Sequence, residues 1–312
     1  MESILITGGA GYIGTCLIPI LLADGYKVTV YDSLEYGGEV LLPFFKYKNF
    51  SFIKGNIMNE KKISAEVAKH DAVIHLAAIV GLHACEEKPE LTKLVNIDGT
   101  KNIINALSKD QHLFYGSTGS NYGIVDGICN EETPLRPKTL YAETKSLAED
   151  MCMQRINSTS FRFATAFGAS PRLRLDLLVN DLTYLAKTQG YLMVYQPKAM
   201  RTFIHVRDIA KCFSFSIKNL DKMTGEVYNI GSNKLNHSKE EVVELIRAKT
   251  DCVVEYKNFD YDKDYRDYEV SYDKISKLNF TVDNNIEDGI EELINSFECV
   301  STKSKRFFNV GE

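Results

Sequence analysis

Tyr141 is the only one of the chain's 17 tyrosines with a lysine four positions later, in the segment YAETK. Positions i and i+4 of a helix share a face, so Tyr141 and Lys145 would point at one bound molecule. A free phenol has a pKa of about 10, and work as a base near neutral pH needs a shift of about 3 units, roughly 4 kcal/mol. A neighbouring ammonium has the sign that this shift requires. The chemistry on offer is removal of a proton from an alcohol. Chance alone gives roughly one such pair in a chain of this composition, so the context must decide.

That context is a glycine turn. The apolar run SILIT leads into TGGAGYIG, where Gly9, Gly11 and Gly14 satisfy GxGxxG and Gly8, Gly11 and Gly14 satisfy GxxGxxG. Glycine is needed where the backbone must turn tightly, let a pyrophosphate approach, and pack a helix closely on a strand. The helix start then offers free N–H groups and partial positive charge to the phosphates. Asp32 ends the second apolar run, 21 residues beyond Gly11. It is placed to accept hydrogen bonds from the adenosine ribose and to repel a 2′-phosphate. Ser33, Leu34 and Glu35 supply no arginine to offset that repulsion, which predicts NAD rather than NADP. An oxidised nicotinamide then joins Lys145 in favouring the phenolate of Tyr141.

The elements that must hold these residues follow from the pattern. SILIT, KVTVY, SFIK, AVIH and HLFY alternate with helical stretches at Ile13–Ala23, Lys61–His70 and Leu91–Leu107, and TSFRF follows the helix that begins at YAETK. Such alternation predicts a doubly wound α/β fold, a parallel sheet covered by helices on both faces. Residues 1–170 read as a dinucleotide-binding domain that also carries the catalytic residues. Residues 171–312 read mainly as a smaller substrate lobe, interleaved with the last sheet elements. Its expected pieces are a helix at Leu175–Lys187, strands YLMVY and EVYNI, the segment RTFIHV, and helices at Asp208–Asn219, Ser238–Lys249 and Ile286–Phe297. Ser238 and Glu241 form a capping box. The charge-dense stretch DYDKDYRDYE is either a solvated loop or a lid over the substrate.

TGGAGYIG, HLAA at 75–78, NIDGT at 96–100, STGSNYG at 117–123, YAETK and RTFIHVRDIA resemble, in order and spacing, the extended short-chain dehydrogenases/reductases of the nucleotide-sugar epimerase/dehydratase family. The resemblance runs from residue 3 to about residue 290. It implies a Rossmann domain, bound NAD, and a sugar nucleotide oxidised at carbon 4. By the same likeness Tyr12, Ile13, Asn56, Ile57, Leu76, Ala77, Ala78 and Asn96 join Gly8, Gly11, Asp32, Tyr141 and Lys145 around the cofactor. Thr118 corresponds to the residue that hydrogen-bonds the reacting hydroxyl. Family dehydratases continue with an Asp-Glu pair that eliminates water; here Gly119 and Ser120 follow, and neither shuttles a proton as a carboxyl does.

Asn180, Arg201 and Arg266 correspond to substrate-side positions, the arginines suiting a diphosphate through bidentate donation. Asn56 and Thr165 depart from a usual aspartate and a frequent asparagine. ATAFGASPRLRLDLLVND and YRDYEVSYDK resemble one branch in particular, the GDP-heptose 4-dehydrogenases of capsule synthesis, which implies GDP-heptose as substrate and an outside oxidant such as 2-oxoglutarate. The helices at Leu91–Leu107 and Tyr141–Gln154 resemble the pair that forms the family's homodimer. A non-catalytic dinucleotide sensor is the competing class, and it would be expected to lack the tyrosine or the lysine.

The bulk numbers narrow the partners. With 312 residues, 44% of them hydrophobic, the chain is ample for a large core. A net charge of −5 and no basic run argue against nucleic acid. The first residues have no basic leader, and no apolar stretch is long enough to span a bilayer, so a cytoplasmic protein without a membrane partner is expected. Seven scattered cysteines with no CxxC predict neither a disulfide framework nor a metal site.

Overall fold

In a computed structural model describing residues 1–257, 267–300 and 307–309, the short apolar runs of the first half become parallel strands. These are β1 (Ser3–Thr7), β2 (Lys27–Asp32), β3 (Phe50–Lys54), β4 (Ala72–His75) and β5 (His112–Thr118). The chain then forms β6 (Ile124–Cys129) away from the sheet and returns as β7 (Ser158–Phe163) beside β5. Further along come β8 (Thr165–Phe167), β9 (Tyr191–Tyr195), β10 (Met200–His205), β11 (Glu226–Ile230), β12 (Asn236–Ser238), β13 (Val253–Lys257) and β14 (Asp267–Val270). The central sheet has seven strands in the order β11-β7-β5-β4-β1-β2-β3. Its seventh strand, β11, lies parallel to β7 although it comes from the second half of the chain. This is a Rossmann-type doubly wound sheet.

Burial on both faces shapes these runs, which are apolar at the centre of β1 and β4 but carry polar residues in β5 and β7. Ile4, Leu5 and Ile6 of β1 are all 0% exposed, and every residue of β5 and β7 is buried, because helices cover both faces. From β1 the chain winds outward through β2 and β3, then crosses back to place β4 on the other side of β1. The switch point therefore lies beyond Thr7 and His75, where open α/β sheets bind their ligands. The glycine turn follows one of these strands and Leu76–Ala78 the other.

Beside the sheet stand three small ladders. β10 pairs parallel with β8 and antiparallel with β12, β9 pairs with β13, and β14 pairs with β6. A second core, containing Phe167, Leu175, Phe203 and Leu293, joins the helices of this half to the ladders. No helix of the described residues is long and apolar enough to cross a membrane.

Several boundaries differ from expectation for identifiable reasons. The stretch expected as one helix over Leu91–Leu107 is a helix at Pro89–Lys93, a π turn at Leu94–Asp98 and a helix at Gly99–Ala106. The wider turn turns Asn96 inward, where its amide accepts from Ile79 N at 2.8 Å and donates to Ile79 O at 2.9 Å. The helix expected from Leu175 starts instead at Leu178, because Leu175 N donates to Phe307 O at 2.9 Å and Asp176 is committed to Arg174. Strands β6, β8, β12, β13 and β14 were not foreseen; β8 and β12 have three residues each, too few for alternation to register. Most of DYDKDYRDYE, from Asp260 to Arg266, lies outside the described residues.

Candidate active site

The glycine turn is built as a cradle that side chains would fill. Gly8 has φ +73°, and a Cβ there would stand 2.6 Å from Ala77 N. A Cβ at Gly14 would stand 2.5 Å from Gly9 O, so the helix Gly14–Ala23 can lie directly on the turn. Gly11 N closes the turn on Gly8 O at 3.0 Å. At the end of β2, the Asp32 carboxylate accepts from Ala10 N at 2.9 Å and from Leu34 N at 2.8 Å, which fixes it beside the cradle. Burial raises its pKa, and those two backbone donors oppose the rise. Glycine cradle, adjoining helix start and oriented carboxylate fit a dinucleotide.

One cavity of about 1160 Å³ joins this cradle to Tyr141 and Lys145. Gly8, Gly11, Tyr12, Ile13 and Asp32 line one end; Asn56, Ile57, Leu76, Ala77 and Ala78 line its floor. Thr118, Tyr141, Lys145 and Arg201 line it as well. Two expected contacts need correction. Asn96 does not line the cavity: its amide is spent on Ile79 and on Thr144 Oγ1 at 3.1 Å, so it holds the loop and the helix that carries Thr144 in place. The Tyr12 phenol donates to Gly168 O at 2.7 Å, and burial pushes its pKa far up, so it anchors a loop and leaves only the rest of Tyr12 to face the cofactor.

Tyr141 is the second residue of the helix Leu140–Met153, capped by Thr139, whose side chain accepts from Ala142 N at 3.2 Å. The positive end of that helix favours a phenolate there. Lys145, one turn on, is 4% exposed, and its ammonium sits 4.1 Å from the Tyr115 ring centroid. Burial lowers its pKa to about 8, against the pull of Cys152, Glu149 and Cys85. Thr118 ends β5; its hydroxyl donates to Ser120 Oγ and accepts from Ser120 N, both at 3.2 Å. No carboxylate follows it: a Cβ at Gly119 would meet Phe163 O at 3.2 Å and the Tyr268 hydroxyl at 3.5 Å.

His75 is buried between Thr7 Oγ1 at 2.8 Å and Thr100 Oγ1 at 2.9 Å, and burial holds its pKa down at about 3. It packs between strand and helix. Arg162 forms a buried pair with Glu149 at 2.7 Å and does not line the cavity.

The cavity holds more charge than the motifs announced. Arg201 is buried and donates to Met200 O at 3.0 Å. Arg172, Arg174, Asp176, Asp181 and Lys239 also line the cavity, and none was anticipated. Arg174 pairs with Asp176, its Nε donating to Oδ1 at 3.1 Å. The only available signal was the crowding of SPRLRLD between two apolar runs. Asn180 is placed differently from expectation: it is 0% exposed, with Oδ1 accepting from Gly168 N at 3.0 Å and Nδ2 donating to Arg174 O at 2.8 Å. It shapes the loop that carries the arginines. Arg266 lies outside the described residues.

Asp181 carries a testable consequence. Burial, reinforced by Asp176, pushes its carboxyl from 3.8 up to about 6. The folded chain then binds the proton more tightly than the unfolded chain, so stability falls as pH rises through that window. Asp181→Asn should therefore stabilise the protein by about 1–3 kcal/mol at about pH 8 and have little effect at about pH 4. Thermal midpoints at the two pH values check this.

Comparison with known proteins places this geometry. A family model described as Epimerase, NAD dependent epimerase/dehydratase family, matches residues 4–231. UDP-glucose 4-epimerase 2 of Arabidopsis thaliana is 29% identical over 283 residues, covering 79% of this chain and 79% of the relative. dTDP-glucose 4,6-dehydratase of Streptomyces niveus is 29% identical over 245 residues, covering 73% and 72%. The solved structure of an epimerase from Methanothermobacter thermautotrophicus has a TM-score of 0.83 at 26% identity, covering 95% of this chain and 92% of that one. NAD is thus the dinucleotide that suits the cradle, and the chain belongs to the NAD dependent epimerase/dehydratase family.

Proposed function

We propose that the protein is an NAD-dependent oxidoreductase acting at carbon 4 of a nucleotide-activated sugar, with GDP-heptose oxidised to GDP-4-keto-heptose in the synthesis of capsule or surface polysaccharide. The observation that carries this reading is the convergence of Thr118, Tyr141 and Lys145 on one cavity with the glycine cradle, and the lack of a carboxylate at Gly119 and Ser120. NAD, when bound, supplies the acceptor for the hydrogen that leaves carbon 4. Tyr141 takes the proton from the 4-hydroxyl oxygen, Thr118 orients that oxygen, and Lys145 favours the phenolate and holds the cofactor ribose. Arg201 and Arg266 bind the diphosphate, and residues 171–312 supply most of the substrate side. The GDP-heptose identity is supported by the likeness of ATAFGASPRLRLDLLVND and YRDYEVSYDK to that branch, and an outside oxidant such as 2-oxoglutarate would reset the cofactor.

A 4-epimerase is the second reading, favoured by the UDP-glucose 4-epimerase relative. There the ketone turns over in the cavity, carbon 4 takes the hydride back on its other face, and Tyr141 returns the proton to the 4-oxygen. We further propose a cytoplasmic homodimer: Leu91, Leu94 and Leu147 are exposed by 38%, 48% and 51% on the helices expected to pair between subunits.

Incubation of the purified protein with GDP-heptose, UDP-glucose and dTDP-glucose, followed by nicotinamide absorbance and NMR of the products, tests the proposal. A 4-ketone supports the dehydrogenase, a 4-epimer supports the epimerase, and no change in any of them would instead support a dinucleotide sensor.

A further inference from the structure

The segment from Gly168 to Asp176 borders the cavity and is fastened at several points. Tyr12 donates to Gly168 O at 2.7 Å; Ser170 Oγ donates to Tyr12 O at 2.8 Å and lies 2.9 Å from Thr15 Oγ1. These bonds tie the segment to the glycine turn itself. Two residues beyond Ser170, the Arg172 guanidinium lies 4.1 Å from the centroid of the Tyr36 ring, four positions after Asp32. Arg172 is only 4% exposed, and its Nη2 donates to Asn309 Oδ1 at 2.6 Å. Asn309 in turn donates to Val80 O at 3.5 Å, beyond the end of β4. Tyr36, Val80, Arg172 and Asn309 all line the cavity that Asp32 lines. Four stretches distant in sequence thus meet at its adenosine end.

We propose that Arg172, held over the Tyr36 ring and tied to Asn309, is a clamp on the adenosine half of NAD, outside the glycine motif and required to retain the cofactor. An arginine held over an aromatic ring keeps its charge beside ribose or phosphate oxygens, and its rotamer entropy is already spent. Its charge stands within electrostatic reach of Asp32, the residue placed for the ribose. Burial and the neighbouring Arg174 lower its pKa to about 10, which leaves it charged at neutral pH. Asn309 couples the clamp to the C-terminal segment, where Leu175 N also holds Phe307 O at 2.9 Å. Release of NAD then requires these contacts to part, so the clamp acts mainly on the off-rate.

The test needs only the cofactor and is independent of which sugar is turned over. NAD affinity and dissociation rate are measured by titration and by displacement for the wild-type protein and for Arg172→Ala, Arg172→Lys, Tyr36→Ala, Tyr36→Phe and Asn309→Ala. Arg172→Ala should weaken NAD roughly 10-fold or more, chiefly through faster dissociation, and Arg172→Lys should not restore it. Tyr36→Ala and Asn309→Ala should weaken it by roughly 3–10-fold, and Tyr36→Phe, which keeps the ring, should match the wild type. Thermal midpoints without NAD separate lost binding from lost folding. The clamp is refuted if Arg172→Ala and Tyr36→Ala retain NAD as the wild type does, or if their affinity falls only in proportion to their apo stability. Should Arg172→Ala fail to fold, the contrast between Tyr36→Ala and Tyr36→Phe decides alone.

Discussion

Tyr141→Phe should lower turnover of the nucleotide sugar by roughly 10²–10⁴-fold while the protein stays folded and keeps its NAD, because only the proton acceptor is removed. The ring remains on the helix Leu140–Met153, and the cap at Thr139 and the Asn96–Thr144 bond that position the helix are untouched. Steady-state rates, a thermal midpoint and an NAD titration on the same preparation check the three parts. Lys145→Met, which removes the buried ammonium beside Tyr115, should shift the activity profile to higher pH, since the phenol loses the charge that favours its anion. A Tyr141→Phe protein that turns over at the wild-type rate would remove the phenol from the chemistry.

Gly8→Ala has the largest expected effect on the fold. The residue has φ +73°, and its new Cβ would stand 2.6 Å from Ala77 N, 2.8 Å from Ala77 Cα and 2.9 Å from Leu76 C. All three neighbours are backbone at the end of β4 and cannot swing aside. The left-handed conformation and the overlap together should cost about 2–5 kcal/mol. NAD binding should be lost with it, because the same turn is the cradle. Gly25→Ala is the control: its φ is +89°, but nothing lies within 4 Å of the added carbon, so it should cost only about 1 kcal/mol and leave NAD affinity unchanged. Denaturation curves and NAD titrations of the two variants separate crowding from backbone strain.

What could be read from the sequence depended on how local the physics was. The parallel sheet was legible because short runs such as SILIT, KVTVY and AVIH alternate with helical stretches, although β7 (STSFRF) is mostly polar. The cradle was legible because a tight turn against a neighbouring backbone admits only glycine. Tyr141 and Lys145 were legible because a helix makes their spacing meaningful. The short ladders were not, since β8 and β12 are stabilised by partners far along the chain. Arg172, Arg174, Asp176 and Asp181 gave no periodic signal, for their significance comes from the loop that Asn180 and Tyr12 hold beside the cavity. Asn96 and Asn180 were visible as residues but not in their placement: a buried amide is used up by whichever backbone groups surround it, and those are known only once the chain has folded.

The most direct measurement follows a label. The nucleotide sugar that turns over is prepared with deuterium on carbon 4, incubated with the protein in ordinary water, and the nicotinamide and sugar are then examined by mass spectrometry. Oxidation at carbon 4 predicts deuterium on the nicotinamide in the wild-type protein and none in Tyr141→Phe. Deuterium that passes to water during turnover, or that never leaves carbon 4 of a sugar of unchanged configuration, would contradict it.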